Sequence, residues 1–247
     1  MKKSQILIGE TRIRKLQSEL GSRVWPEFMQ HDSTVLKHWP ELYTRFLEYQ
    51  FALFEDEVLL GVGNSLPLCW EQAFSDLPDQ GLDWAMEKAD KDYKQGRQPT
   101  MLVGLQILIN PAYQGRGLSY KMLDLMKDIA RGNGLTHVAL PVRPRLKSSY
   151  PLIPMEDYIR WLDTDNRPFD PWIRVHIKAG GKILHTCHQS MDISGTITEW
   201  EEWTRTKFFT SGDYIIDQAL VPVHINREKN LGLYKEPNVW FLHETSH

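Results

Sequence analysis

The sequence predicts an α/β fold, or α+β with a mixed sheet, and three neighbouring segments predict it. Leu102 to Ile109, LVGLQILI, is almost continuously apolar, the pattern of a strand covered on both faces. A turn with two glycines follows, and then Leu118, Met122, Leu125, Met126 and Ile129 fall on one face of a helix that Gly132 or Gly134 closes. Thr136 to Val142 reads as a second strand. Strand, helix and strand in this order make a crossover, which forces a parallel pair with helices on both faces.

The elements around this unit follow in order. Ile13, Leu16 and Leu20 predict one helix, and Leu36, Trp39, Leu42, Phe46 and Tyr49 a second, with Pro26 and Pro40 marking a first turn or a break. Gln50–Phe54 and Val58–Leu66 predict a hairpin around Glu55, Asp56 and Glu57. Leu82, Ala85, Met86, Ala89 and Tyr93 predict an inserted helix stopped by Gly96 and Pro99. Arg143 to Pro171 is rich in proline and reads as a long irregular excursion around a short helix, Met155 to Leu162, of the kind that faces substrates. Asp170 and Pro171 start a helix that runs to Ala179, Gly180 and Gly181 end it, and a strand follows from Lys182 to about Met191. Further strands are expected near Tyr214 to Ile225 and Val239 to His243, after a Trp-rich acidic segment at Glu199 to Trp203. One decorated domain over residues 1–247 is expected, with insertions at about 71–99 and 143–171 and a C-terminal extension from about 192.

Composition excludes several classes. With 29 basic and 32 acidic residues the formal charge is −3, which leaves no footprint for a nucleic-acid backbone. The longest apolar run is interrupted by Gln106 and falls well short of the ~20 residues that span a bilayer. The basic N-terminus lacks the apolar core of a signal peptide, and Cys69 and Cys187 have no pairing pattern, so reduced thiols and a cytoplasmic location are expected. His185, Cys187 and His188 include metal-ligand types, but alternation along a strand turns His188 away from the other two, so no metal site is expected.

The chemistry sits in the turn Asn110-Pro-Ala-Tyr-Gln-Gly-Arg-Gly-Leu-Ser119. Gly115 and Gly117 let backbone amides approach a ligand, and a helix starting there turns unpaired N–H groups and its positive dipole end to the same point. A diphosphate is one occupant of such a turn; the alternative is a tight connection with no ligand.

This string resembles the central motif of the Gcn5-related N-acetyltransferases, Q/R-x-x-G-x-G/A, with Gln114 and Gly117 matching and Ser119 in place of the usual small residue. Leu140-Pro-Val-Arg143 resembles that family's next strand, and Trp172 to Lys182 its closing helix and turn. The resemblance covers roughly residues 100–190 and implies a splayed central sheet flanked by helices that holds acetyl-CoA. It implies that the main chain of Ile107, Leu108 and Ile109 pairs with the pantetheine arm. It also implies that Gln114, Gly115, Arg116, Gly117, Leu118, Ser119 and Tyr120 surround the pyrophosphate. The family's usual glutamate positions fall on Pro141 and near Val103, neither of which titrates, whereas its tyrosine acid falls on His176, four residues before Gly180. His176 is therefore the first catalytic candidate, with a histidine packed against the sheet as the alternative; Tyr150 and Arg143 are further candidates, Arg143 also for an acidic substrate group. Trp70-Glu71 and Glu199 to Trp203 are weighed as borders of an acceptor pocket against purely structural roles.

The expected activity is acyl transfer from acetyl-CoA to a small-molecule amine, with no nucleic-acid or membrane partner and a homodimer left open. Two alternatives remain: a malonyl-CoA decarboxylase or S-acyltransferase of the loading-domain type, which pairs His with Thr, and a non-catalytic acyl-CoA-binding module.

Overall fold

A computed structural model of the protein describes residues 4–245. The expected crossover is present as β4 (Met101–Ile109), α4 (Leu118–Gly132) and β5 (His137–Val142), with β4 and β5 parallel. On the β4 side lie β3 (Val58–Leu68), β2 (Phe51–Glu55) and β1 (Ser4–Ile8), all antiparallel. The hairpin between β2 and β3 turns on Asp56 and Glu57, both at positive φ (47° and 67°), the two-residue geometry whose twist suits flanking strands. β1 has no counterpart in the sequence reading: a five-residue edge strand with mostly exposed side chains carries little apolar pattern.

On the β5 side the last strand is central. β9 (Leu231–Glu244) pairs with β5 along Val239 to Glu244, with β8 (Val223–Asn226) at its start and with β6 (Lys182–Gly195) along much of its length, while β7 (Gly212–Tyr214) pairs with β8. The nine strands among the described residues thus form one mixed sheet in which β4 and β5 are the parallel neighbours. The stretch expected as a C-terminal extension supplies the strand beside β5.

Helices cover both faces. α6 (Pro171–Lys178) sets His176 against Phe241 at 4.9 Å, whereas α3 (Gly81–Lys94) sets Trp84 edge-on against Trp240 at 6.2 Å, on the opposite face by strand alternation. α1 (Ile13–Gly21) buries Ile13 and Leu20 as its spacing predicts. The second N-terminal helix is shorter than predicted. α2 (Ser33–His38), capped by the Asp32 carboxylate accepting from Val35 N at 2.9 Å, gives way at Pro40 to tight turns over Trp39–Tyr43 and Leu47–Tyr49. Proline removes an N–H from the helical ladder, and Leu42, Phe46 and Tyr49 are buried through turns instead.

The excursion after β5 is ordered around Asp170, whose carboxylate caps α6 and accepts from Leu146 N and Tyr158 Oη, each at 2.8 Å. Its helix is one turn, α5 (Met155–Tyr158), rather than two. The Trp-rich acidic segment is α7 (Ile197–Thr204), closed by a capping box between Thr196 and Glu199. Among the described residues no helix is long and apolar enough to cross a membrane.

Candidate active site

The parallel strands part company almost at once. β4 and β5 pair only at Leu102–Val138 and Val103–Ala139. A register shift against β3 makes Leu105 an extra residue in β4, and a bulge bends the strand that carries it. β5 meanwhile stays paired with β9 to Val142. The edge of β4 from Gly104 to Ile109 that faces β5 therefore has no strand partner, and a cleft of about 960 Å³ opens between Gly104–Ile109 and Leu140–Arg143.

One end of the cleft is the glycine turn. Asn110 holds it: its side chain accepts from Ala112 N at 3.1 Å and donates to Leu59 O at 2.9 Å. Gly115 and Gly117 stand at φ 77° and 72°, and α4 begins after Gly117 without a side-chain cap; Tyr120 N donates to Gly117 O at 3.2 Å, and the amides of Leu118 and Ser119 are left for another acceptor. A Cβ on either glycine would meet nothing within 4 Å, so the backbone conformation, not crowding, demands glycine.

Of the ten residues expected around the cofactor, nine line the cleft: Ile107, Leu108, Ile109, Gln114, Gly115, Gly117, Leu118, Ser119 and Tyr120. Arg116 does not; its guanidinium turns to Glu55 at 3.0 Å and over the Tyr113 ring. Positive charge reaches the turn from elsewhere, through Arg145, which donates to Gln114 Oε1 at 2.9 Å, and Lys178, whose Nζ lies 5.5 Å from the Tyr120 ring centre.

The far wall carries titratable groups. Arg143 and Glu236 face each other, with Nε to Oε1 at 2.5 Å, and both line the cleft. Glu236 is wholly buried and also accepts from the Tyr234 hydroxyl, whose pKa burial, then the Glu236 charge, push far up, so Tyr234 remains a donor. Arg143 also donates from Nη2 to Gln218 O and sits 5.8 Å over the Trp25 ring. His176 lines the same cleft, fully buried, and burial keeps its imidazole neutral. Behind Leu82 and Met191 of the lining, Asp83 and Asp32 crowd around Asp192 N, and burial with Asp32 nearby pushes the Asp83 carboxyl up to about 8.

The third catalytic candidate is not brought to this place. Tyr150 is absent from the cleft lining; its ring joins Trp161, Tyr158 and Phe169 in an aromatic cluster, and its carbonyl accepts from Lys147 Nζ. Trp70 packs edge-on to Trp84, Glu71 pairs with Arg97, and Trp203 stacks on His31 at 4.2 Å, all outside the cleft lining. Among the described residues no three His, Cys, Asp or Glu side chains gather to hold a metal ion.

No protein-family model matches the chain. An arginine N-acetyltransferase of Aspergillus versicolor, avaD, is 28% identical over 250 residues, spanning 90% of this chain and 86% of its own. The loading GNATL domain of CurA from Lyngbya majuscula superposes with a TM-score of 0.63 at 16% identity, covering 98% of each chain. A GphF GNAT-like decarboxylase in complex with isobutyryl-CoA gives 0.56 at 13% identity, covering 99% of this chain and 100% of its own. The chain is thus similar to an N-acetyltransferase along most of its length and has the fold of the Gcn5-related N-acetyltransferases.

Both solved structures bear on the fold, and the expected mixed sheet and acyltransferase class stand. Two residues of the cleft lining, Glu236 and Asn238, were not legible in the sequence. Pro237 between them marks a break in a strand pattern, and the expected strand began only at Val239. In the structure Pro237 lies opposite a register shift of β6 between Cys187 and Met191, where a missing N–H breaks no ladder.

Proposed function

We propose that the cleft holds an acyl-coenzyme A and passes its acyl group to the amine of a small amino-acid-like acceptor of the arginine type. The observation that carries this is the meeting, in one cleft, of the unpaired β4 edge, the left-handed glycine turn and a buried carboxylate beside a guanidinium. The residues fit the cofactor: backbone groups of Ile107, Leu108 and Ile109 lack a strand partner on the cleft side, and the amides from Gly115 to Ser119 lie at the left-handed turn and helix start, where a diphosphate is favoured. When bound, the coenzyme supplies a thioester carbonyl open to attack by an amine.

The chain's own groups do the rest. The Arg143–Glu236 pair matches an acceptor that carries both a carboxylate and an ammonium. Arg143 uses Nε and Nη2 on Glu236 and Gln218, which leaves Nη1 for a carboxylate, and Glu236 orients the ammonium and receives its proton. Among the described residues Glu236 is the one acidic side chain in the cleft lining. His176 faces the cleft as a neutral imidazole, able to donate a hydrogen bond to charge developing there. The likeness to an arginine N-acetyltransferase over 90% of the chain supports the acceptor class. The lining contains no threonine among the described residues, whereas the loading-domain pattern pairs histidine with one.

The test is incubation with acetyl-CoA and arginine, other amino acids and simple amines, following thiol release, with malonyl-CoA in parallel. Thiol release that depends on arginine or a close relative is expected. Carbon dioxide from malonyl-CoA without need of an amine would replace this reading with decarboxylation, and calorimetry showing no coenzyme A binding would end both.

A further inference from the structure

Two histidines 67 residues apart in the chain meet beneath the cleft. Nδ1 of His176, on α6, lies 3.0 Å from Nε2 of His243, on β9, within hydrogen-bond distance. Both rings are buried, with 0% and 1% exposure, and Trp172 and Phe241 flank His176 at 4.7 and 4.9 Å. The outer nitrogen of each, His176 Nε2 and His243 Nδ1, has no hydrogen-bond partner. A buried polar atom left unpaired loses its hydration without a replacement, so two such atoms on one pair need a reason.

The packing makes room for the pair: a Cβ at Gly181 would stand 2.5 Å from a His243 ring carbon and 2.8 Å from the His176 carbonyl. Burial, then mutual repulsion, keeps His176 neutral, and burial, then Lys127 on α4, lowers His243 to about 4. Two neutral rings carry two N–H hydrogens, one in the shared bond and one on an outer nitrogen. Around His243, the Lys127 cation opposes a further proton on the ring. The Ala179 backbone and Asp124, itself 2.8 Å from Lys127, act the other way more weakly. His176 lines the cleft and His243 does not, so a hydrogen on the outer nitrogen of His176 can meet a ligand, whereas one on His243 Nδ1 would be an orphaned buried donor; the second hydrogen belongs on His176.

We propose that His243 is a positioning residue whose Nε2–H donates to His176 Nδ1, and so holds a hydrogen on Nε2 of His176, the ring of the pair that lines the cleft. The inference rests on the acyl-transfer reading. As the amine nitrogen bonds to the acyl carbon and the carbon–sulfur bond breaks, this N–H stabilises the charge arriving on sulfur. The ring itself loses no proton: the amine's goes to Glu236, and the thiolate is protonated from water.

Long-range ¹H–¹⁵N spectra of the ligand-free protein decide the tautomer, with His176→Phe used to assign the resonances. The expected pattern has a protonated Nε2 and a bare Nδ1 on His176; a bare Nε2 in the wild type overturns the proposal even if no variant folds. His243→Leu is expected to mix the His176 tautomers and lower kcat by about 10- to 100-fold with the KM for acetyl-CoA unchanged. His243→Gln, which keeps a donor, is expected to restore most of both. An unchanged His176 spectrum in His243→Leu, or no rescue by Gln, refutes the role of His243. If the wild type shows the expected tautomer but binds no coenzyme A, the acyl-transfer reading fails while the histidine assignment stands.

Discussion

Replacing Glu236 by Gln probes the cleft where fold and chemistry meet. The substitution preserves shape and an acceptor for Tyr234 but removes the charge facing Arg143 at 2.5 Å. Glu236 is fully buried, whereas the Arg143 side chain keeps 19% exposure, so the abandoned guanidinium is partly hydrated. Breaking a fully buried pair costs ~3–5 kcal/mol, and partial hydration reduces this to roughly 2–3 kcal/mol here. For a chain of this size that corresponds to a fall in Tm of about 4–12 °C. Arg143→Met alone should cost more than Arg143→Met combined with Glu236→Leu, because the double change leaves no unpaired charge. Urea and thermal unfolding of wild type, Arg143→Met, Glu236→Leu and the double variant give the coupling energy, and steady-state kinetics of Glu236→Gln with arginine give the second readout: a large loss of kcat/KM for the acceptor with coenzyme A affinity intact. A Glu236→Gln protein as stable and as active as wild type would show that the pair neither braces the wall nor meets the acceptor.

Gly117→Ala, at φ 72°, should cost about 1 kcal/mol in stability and weaken coenzyme A binding in calorimetry, whereas Arg116→Ala should leave binding nearly unchanged because Arg116 faces Glu55. His176→Phe should abolish most turnover yet bind coenzyme A, and its stability should fall less steeply than that of wild type between pH 7 and pH 5. The sign follows from burial: His176 stays unprotonated in the fold while the unfolded chain takes up its proton, so its removal takes away one of the groups through which acidification favours unfolding. Asp83 has the opposite sign. Its carboxyl, raised to about 8, retains a proton in the fold that the unfolded chain releases, so stability drains as pH rises from 4 to 8 and Asp83→Asn should stabilise most at the alkaline end, read by Tm against pH.

What could be read from the sequence was local. The LVGLQILI strand, the α4 face and the Gly115–Gly117 turn each depend on residues close in the chain, and all lie where expected. The second N-terminal helix failed where apolar spacing satisfied burial without satisfying the backbone, at Pro40. Glu236 was illegible because Pro237 disguised the start of β9, and Tyr150 was misplaced because a proline-rich excursion gives no indication of which way its rings fold.

The sequence by itself determined the crossover and the glycine turn at the helix start, because backbone conformation and side-chain periodicity are set over a few neighbouring residues. Only the tertiary structure decided what stands on the opposite wall. Arg143 meets Glu236 across 93 residues and His176 meets His243 across 67, and both meetings exist because the last strand enters the sheet beside β5 just past the point where β4 turns away. Long-range strand order is a property of the whole packed sheet, and no local pattern encodes it.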